Sequence, residues 1–215
     1  MRKIFLDCGT HLGEGLTYFS KLHQMDKTWE IHCFEPNPNL HDHLRLNIMN
    51  NSEDFNITLH PAAVVGPGAP STVTLNMQPG ATPEGNIDRG NPTGGGSTVL
   101  PPAILKEGVL DDYQQVTVPT IDFHSFLHEL VKENIGTPES PNGFDRGKCF
   151  IILKLDVEGE EYNILRALIE SGYSSVMSYI YVEFHGRFFK EDMRSEEVRL
   201  VGELFQQGVV SIPHW

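Results

Sequence analysis

IFLDCGTHLGEG, residues 4–15, is the stretch on which the interpretation of the whole chain depends. Its first three residues are apolar and typical of a short strand, which ends on the acid Asp7. Gly9, Gly13 and Gly15 follow, and an amphipathic helix is predicted after them. A strand, a glycine turn and a helix in this order direct free backbone N–H groups and the positive end of a helix dipole at a ligand. The stretch therefore predicts a ligand site at the carboxyl end of the first strand.

The spacing of these glycines distinguishes two classes of ligand. A dinucleotide-binding turn has the pattern G-x-G-x-x-G, and this chain has His11 where the second glycine should stand. The pattern D-x-G-x-x-x-G, from Asp7 to Gly13, is typical of the nucleoside-binding turn of methyltransferases that use S-adenosylmethionine (SAM). We therefore expect the methionine end of SAM over this turn, and not a pyrophosphate.

Glu35 ends the second predicted strand, residues 31–34, and stands 20 residues beyond Gly15. A carboxylate at this position can accept two hydrogen bonds from the hydroxyls of a ribose. The alternative is a solvated carboxylate in a turn. In the context of the glycine turn we favour the ribose contact.

The order of predicted strands and helices is that of a Rossmann-like α/β fold, with a mostly parallel sheet of six or seven strands and helices on both faces. Short, almost wholly apolar strands fit a sheet that is covered on both sides. Besides 4–7 and 31–34, the predicted strands are 55–65 with a bend at Pro61, 72–77 at an edge, 116–118, 149–155, 176–184 and 209–212. Helices are predicted before Met25, after Asn37-Pro38, after Asp122, from Glu158 to Gly172, and after Asp192 with Val198, Val201, Leu204 and Phe205 facing inward.

We interpret residues 1–215 as a single domain with a Gly/Pro-rich insertion at about 66–102, in which 15 of 37 residues are Gly or Pro. A loop of this length is a lid or second cradle, or else a tolerated surface insertion. The chain could also be one domain of a longer protein.

Composition restricts the partners that are expected. Lys and Arg number 16 against 29 Asp and Glu, a net charge of −13, so no basic field is present to bind nucleic acid. Three cysteines, Cys8, Cys33 and Cys149, fall in or beside apolar strands, which predicts buried thiols in a reducing, cytoplasmic compartment. No apolar stretch approaches the roughly 20 residues of a membrane span.

Acidic residues stand at the ends of four predicted strands: Asp7, Glu35, Asp156 and Glu183. Because the carboxyl ends of parallel strands meet at one edge, these like charges need a cation or a ligand donor to offset them. Lys154 lies within the most apolar strand, and a buried lysine needs a partner, for which Asp156 or Glu183 is the natural candidate.

Other ionisable residues near these strand ends are open to two readings. Glu158 joins the face shared by Lys154 and Asp156 if the extended backbone continues, whereas Glu160 and Glu161 need no role beyond complementing a helix dipole. His185 is a candidate general base or a plain polar cap.

At this point the chain resembles the FkbM family of SAM-dependent O-methyltransferases. The likeness covers about residues 4–186, and K-x-D-x-E-G with an upstream F-E-P-N-P is its most specific part. Its motifs are LDCGTHLGEG (6–15), CFEPNP (33–38), HPAAV (60–64), TID (120–122), LKLDVEGEEYNIL (153–165) and YVEFH (181–185).

The resemblance implies the seven-stranded class I methyltransferase fold, SAM as methyl donor, and a hydroxyl acceptor on a sugar or glycan. It places the methionine end on Asp7, Gly9, Thr10 and Gly13, the ribose on Glu35, the adenine near Ala62 and Ala63, and the methionine carboxylate under Ser97 and Thr98. His11, Pro36 and Asn37 complete the predicted cofactor site. The predicted acceptor and catalytic residues are Asp156, Glu158, Glu183, His185 and Lys154.

Two chemistries are open for removing the acceptor proton. Asp156 with His185 can act as a base, or Asp156, Glu158 and Glu183 can hold Mg²⁺ or Mn²⁺. A nicotinamide-dependent sugar oxidoreductase or epimerase, and a non-catalytic nucleoside-binding domain, are the alternative functions. One departure from the class I pattern is that only about seven residues follow the last helix, too few for the usual antiparallel hairpin.

Overall fold

The computed structural model describes residues 1–51, 55–78, 97–138, 140 and 143–213, with the side chains of 49–51 left out. Nine strands lie within the described residues: β1 (Arg2–Cys8), β2 (Trp29–Phe34), β3 (Asn56–His60), β4 (Ala63–Val65), β5 (Thr72–Met77), β6 (Gln114–Asp122), β7 (Cys149–Leu155), β8 (Tyr179–Val182) and β9 (Val210–Pro213). The main sheet has the order β3-β2-β1-β7-β8-β9, and every pair in it is parallel.

Helices cover both faces of this sheet. They are α1 (Glu14–Leu22), α2 (His41–Asn51), α3 (Phe123–Val131), α4 (Glu161–Glu170) and α5 (Arg194–Gln206). Alternate residues of β1 face opposite ways: Ile4 and Leu6 pack in one cluster with α3, α4 and α5, whereas Phe5 packs in another with Phe19 of α1. The predicted Rossmann-like α/β architecture is confirmed, with six strands in the main sheet of the described chain.

The prediction of one bent strand over residues 55–65 is wrong. The backbone turns at Pro61, where the N–H of Ala62 donates to the carbonyl of His60 at 2.9 Å. β3 therefore stays in the main sheet, and β4 leaves it to pair with β6 in a second sheet of order β4-β6-β5.

The second sheet also changes the prediction for residues 116–118. That strand runs over nine residues as β6 and pairs antiparallel with β5, the edge strand expected at 72–77. Its last residue, Asp122, caps α3 as predicted, because its side chain accepts a hydrogen bond from the N–H of Ser125 at 2.9 Å. Residues 79–96, the middle of the predicted insertion, lie outside the described part of the chain.

Two further boundaries differ from the predictions. α4 begins at Glu161 and not at Glu158, because Glu158 and Gly159 have positive φ angles of 54° and 116°. The strand predicted over 176–184 is shortened to β8, since a 3₁₀ turn occupies Tyr173–Val176. Glu183 and His185 consequently lie in the loop that follows β8.

The inward face predicted for the last helix is partly wrong. In α5, Leu200 and Leu204 are fully buried, whereas Val198 is 74% and Phe205 78% exposed. Two apolar faces compete on this helix, and the one carrying Leu200 and Leu204 packs on the sheet. Asp192 accepts a hydrogen bond from the N–H of Arg194 at 3.1 Å, although the helix cap itself is Met193.

The structure also bears on the predictions for the cysteines and for membrane spans. Cys8, Cys33 and Cys149 are free and buried, as predicted. Among the described helices, none combines the length and the apolar character that crossing a bilayer requires.

Replacing Gly9 by alanine is expected to destabilise the fold by about 2–5 kcal/mol, combining left-handed strain with overpacking. Gly9 has φ +83°, and a Cβ there would lie 1.8 Å from the carbonyl oxygen of Asp156. Gly68→Ala is the matched control, because Gly68 has φ +80° with nothing within 4 Å of a Cβ. The control should cost only the strain, about 1–2 kcal/mol, in urea unfolding. Equal losses in the two variants would contradict the close approach of β1 and β7.

Candidate functional site

A cavity of about 350 Å³ opens where β1, β2, β7 and β8 end. The carboxyl ends of parallel strands are the usual position of a ligand site in an open α/β sheet. The volume is within the range of small-molecule sites. Strand-end acids and the glycine turn, which are far apart in the sequence, thus meet around one space.

The glycine turn is held against β2 by its own backbone. The N–H groups of Gly9 and Thr10 both donate to the carbonyl of Phe34 at 3.0 Å, and the hydroxyl of Thr10 donates to the carbonyl of Asp7 at 2.8 Å. The N–H groups of Gly9 and Thr10 are therefore not free for a ligand, which corrects that part of the prediction for the turn. Gly9, Thr10 and His11 line the cavity.

Lys154 is the buried cation of the site, with 3% of its side chain exposed. Its Nζ donates to the carbonyl of Gly9 at 2.5 Å and lies 3.4 Å from Asp7 Oδ1 and 3.2 Å from Asp156 Oδ2. Burial opposes its charge, but the charges of Asp156 and Asp7 and their hydrogen bonds raise the Lys154 pKa well above its usual range. Of the two predicted candidates, Asp156 or Glu183, Asp156 is thus the partner, and Asp7 is a second partner that the sequence did not indicate.

Glu35 is 5% exposed and is fixed at both oxygens. Oε2 accepts the N–H of His11 and Oε1 accepts the N–H of Asn37, each at 2.8 Å. Burial raises the Glu35 pKa, and the two backbone N–H groups oppose that rise. The carboxylate is therefore rigid and borders the cavity beside the glycine turn.

His185 lies behind the cavity wall, 1% exposed, in a cluster of acids. Its Nδ1 is 2.8 Å from Glu161 Oε1, and its Nε2 is 3.1 Å from Glu158 Oε2 and 3.8 Å from Asp156 Oδ1. Burial disfavours its charge, but the hydrogen bond to Glu161 and the surrounding carboxylates outweigh this and raise its pKa to about 9. Burial also disfavours the charged form of Glu158 and raises its pKa to about 7, although the charge of His185 opposes this rise.

Glu161 is a site residue that the sequence interpretation missed. It is fully buried, and besides His185 it accepts the N–H groups of Val157 and Gly159, each at 2.9 Å. It therefore shapes the turn that carries Glu158. No pattern along the chain distinguishes it from Glu160, because its partner His185 comes from a different strand end.

The predicted residues separate into those that line the cavity and those that support it. Lining residues among the predictions are Gly9, Thr10, His11, Glu35, Pro36, Ala63, Ser97, Lys154, Asp156, Glu158 and Glu183. Asp7, Gly13, Asn37, Ala62, Thr98 and His185 are not among the lining residues. Several of these support it: Asp7 pairs with Lys154, and Thr98 donates to the carbonyl of Glu158 at 2.7 Å.

Gly15, named above as part of the glycine turn, also lines the cavity. Sequence reasoning missed the other lining residues: Glu14, Phe34, Val64, Leu75, Val99, Val157 and Arg187. Phe34 and Val157 immediately adjoin predicted site residues, so chain proximity could have indicated them. Leu75 comes from the second sheet, whose position relative to the main sheet no local pattern predicts.

Backbone strain is present in the cavity wall. Among the described residues, four that are not glycine have positive φ, and two of these, His11 at 55° and Glu158 at 54°, line the cavity. Such a conformation costs about 1–3 kcal/mol and persists where the surroundings hold it. Here two hydrogen bonds hold these conformations: the N–H of His11 donates to Glu35 Oε2, and the hydroxyl of Thr98 donates to the carbonyl of Glu158.

The metal prediction of Asp156, Glu158 and Glu183 is altered by the geometry. Among the described residues, the group with ligand atoms within 4.8 Å of one another is Asp156, Glu158 and His185. Glu183 lies beside it, with Oε1 3.7 Å from His185 Nε2 and 3.8 Å from Arg187 Nη1. Occupation by Mg²⁺ or Mn²⁺ remains a prediction.

Comparison with known proteins gives one match. The family described as "Methyltransferase FkbM domain" matches residues 7–207. Neither the curated proteins nor the solved structures contain a match. Residues 7–207 include every residue that lines the cavity, from Gly9 to Arg187.

Replacing Lys154 by methionine is expected to destabilise the fold by about 3–5 kcal/mol, because it leaves buried carboxylate charge unpaired. Urea unfolding measures the effect. Asp7→Asn in the Lys154→Met background should recover part of the loss, since Asp7 is fully buried.

Arg45→Met is the control, because Arg45 and its partner Asp42 are exposed, at 56% and 95% of their side chains. This surface pair should contribute less than about 1 kcal/mol. If Lys154→Met and Arg45→Met cost the same, the ion pairs of Lys154 do not hold the strand ends together.

Proposed function

Because the chain belongs to the FkbM methyltransferase family, we propose that it is a SAM-dependent O-methyltransferase acting on a hydroxyl of a sugar or glycan. The observation that carries the proposal is that the glycine turn, Glu35 and the acids Asp156 and Glu158 all line one cavity. In this proposal a nucleoside site and a proton-accepting site are adjacent. The nicotinamide alternative lacks such support, because His11 stands where the dinucleotide pattern G-x-G-x-x-G requires its second glycine.

The residues of the cavity fit an adenosine with an amino-acid tail. Each oxygen of Glu35 accepts one backbone N–H, and a carboxylate oxygen has roughly two acceptor positions, so each retains one for a ribose hydroxyl. Ala63 and Val64 supply an apolar surface for adenine. The turn at Gly9, with Ser97 nearby in the lining, would hold the methionine end.

When bound, SAM supplies a methyl group on a sulfonium sulfur that a hydroxyl oxygen can take, leaving S-adenosylhomocysteine. The donor is already reactive, so the task of this chain is to align the acceptor hydroxyl and to accept its proton. Asp156 and Glu158 line the cavity, and Glu158 Oε2 is buried without a hydrogen-bond donor among the described residues. We assign the acceptor hydroxyl to these carboxylates, with the proton passing to one of their oxygens.

His185 acts through Glu158 in this proposal and does not touch the acceptor. It does not line the cavity, and its ring lies between the carboxylates of Glu158 and Glu161. A sugar or glycan acceptor is supported by the density of carboxylates at the wall, since these accept hydrogen bonds from several hydroxyls at once. Residues 79–96 lie between Met77 and Ser97 in the chain, and the proposed role of this insertion as a lid stays a prediction.

Three further expectations stay predictions: one domain over residues 1–215, a cytoplasmic location and no nucleic-acid partner. Buried free cysteines support the location, and the acidic composition supports the absence of a nucleic-acid partner.

Replacing Glu35 by glutamine is expected to weaken S-adenosylhomocysteine binding by about 1.5–3 kcal/mol, roughly 10- to 150-fold, because a charged acceptor of the ribose hydroxyls is lost. Titration calorimetry measures the affinity. NAD, tested in the same way, should give no saturable binding.

Glu30→Gln is the matched control, because Glu30 lies on β2, the strand that Glu35 directly follows, and contacts Arg2 and His32 and not the cavity. This control should bind as the unmodified chain does. Absence of saturable binding of both SAM and its product to the unmodified chain would overturn the proposed function, and unchanged affinity in Glu35→Gln would overturn the ribose contact alone.

A further inference from the structure

Three side chains of ligand type converge at the ends of β7 and β8. One oxygen of Asp156, one of Glu158 and Nε2 of His185 all lie within 4.8 Å of one another. Ligand atoms bind Mg²⁺ or Ca²⁺ at about 2.0–2.6 Å, so two ligands of one ion are separated by no more than about 5 Å. The three atoms thus have the spacing of ligands to a common ion.

We propose that Asp156, Glu158 and His185 bind one divalent cation, and that Glu161 orients the imidazole for this purpose. The cation faces the cavity, since Asp156 and Glu158 both line it.

The first argument is an unsatisfied acceptor. Glu158 Oε2 is buried and has no hydrogen-bond donor among the described residues. A buried carboxylate oxygen that accepts no hydrogen bond is costly, so this oxygen keeps a position for a further electron-pair acceptor beside the imidazole that faces it. Its nearest charged neighbour is His185 Nε2, at 3.1 Å.

The second argument is the orientation of His185. Glu161 lies at 2.8 Å from Nδ1, which directs the other ring nitrogen toward Asp156 at 3.8 Å, Glu158 at 3.1 Å and Glu183 at 3.7 Å. A single N–H on Nε2 serves one of these carboxylates, whereas a cation serves several. An imidazole held by a carboxylate at one nitrogen and facing ligands with the other is also the usual arrangement of a metal-binding histidine.

Asp156 is free to contribute an oxygen, because its two oxygens face different partners. Oδ2 is the one paired with Lys154, at 3.2 Å, and Oδ1 is the one nearer His185. Lys154 therefore fixes the carboxylate without occupying the oxygen that the cation requires.

The ligand set also indicates which cation fits. Mg²⁺ prefers oxygen ligands throughout, whereas one imidazole with two carboxylates suits first-row divalent ions such as Mn²⁺ better. Three protein ligands leave coordination positions open toward the cavity. With the cation bound, the acceptor hydroxyl would occupy one of these positions in place of a direct hydrogen bond to Glu158 Oε2. That step rests on the proposed function, whereas the cation site itself does not.

The test is Mn²⁺ binding to the unmodified chain and its variants, in the absence of SAM. Calorimetry should show one Mn²⁺ per chain, and electron-spin-echo spectroscopy should detect nitrogen modulation from a directly bound imidazole. His185→Gln should abolish that modulation and weaken Mn²⁺ binding by at least about 100-fold, and Glu158→Gln should weaken it similarly. Glu161→Gln, which removes the orienting contact and no ligand, should cost about 10- to 100-fold.

Glu191→Gln is the matched control, since it removes the same charge from an exposed loop residue and should change the affinity by less than about twofold. Thermal midpoints measured in EDTA identify any variant that fails to fold. If His185→Gln does so, Glu158→Gln carries the test, because its side chain is the more exposed of the two, at 16% against 1%.

Absence of saturable Mn²⁺ binding, or Mn²⁺ bound without nitrogen modulation, would overturn the site. Calorimetry with S-adenosylhomocysteine in EDTA separates this outcome from failure of the proposed function. Binding of S-adenosylhomocysteine without any Mn²⁺ binding removes the cation site alone, and the reverse result removes the methyltransferase proposal alone.

Discussion

The candidate site depends on the buried ammonium group of one lysine, Lys154. Lys154 Nζ contacts the carbonyl of Gly9 and the carboxylates of Asp7 and Asp156, so that one charged group ties together the ends of β1 and β7. Asp7 and Lys154 are also directly paired in the register of these strands. Without the lysine, two acids would face each other at low dielectric; with it, the glycine turn has a fixed position over the sheet.

The charged groups of the site form two layers, which share Asp156. The inner layer is the ion pairing around Lys154, which lies beneath the turn at Gly9. The outer layer is the acidic cluster of Asp156, Glu158 and Glu161 around His185, with Asp156 belonging to both layers. In the proposed function, these two layers place a surface for a nucleoside beside a polar surface that would accept a proton or hold a cation.

Much of this arrangement follows from local pattern, and the exceptions share a physical cause. Alternation along a strand predicts that Lys154 and Asp156 share one side, and of the two candidate partners, Asp156 or Glu183, the structure selects Asp156. The further partner Asp7 comes from the neighbouring strand, which no pattern within β7 identifies. The sequence predicts a bend at Pro61, but only pairing with the distant β6 takes β4 out of the main sheet. Glu161 was missed for the same reason, since its partner His185 follows another strand.

A structure of the chain with bound S-adenosylhomocysteine tests the central claim most directly. We expect the ribose hydroxyls on the carboxylate of Glu35, the amino-acid end over the turn at Gly9, and the sulfur facing Asp156 and Glu158. A ligand bound elsewhere, or in this cavity with its ribose away from Glu35, would contradict the account.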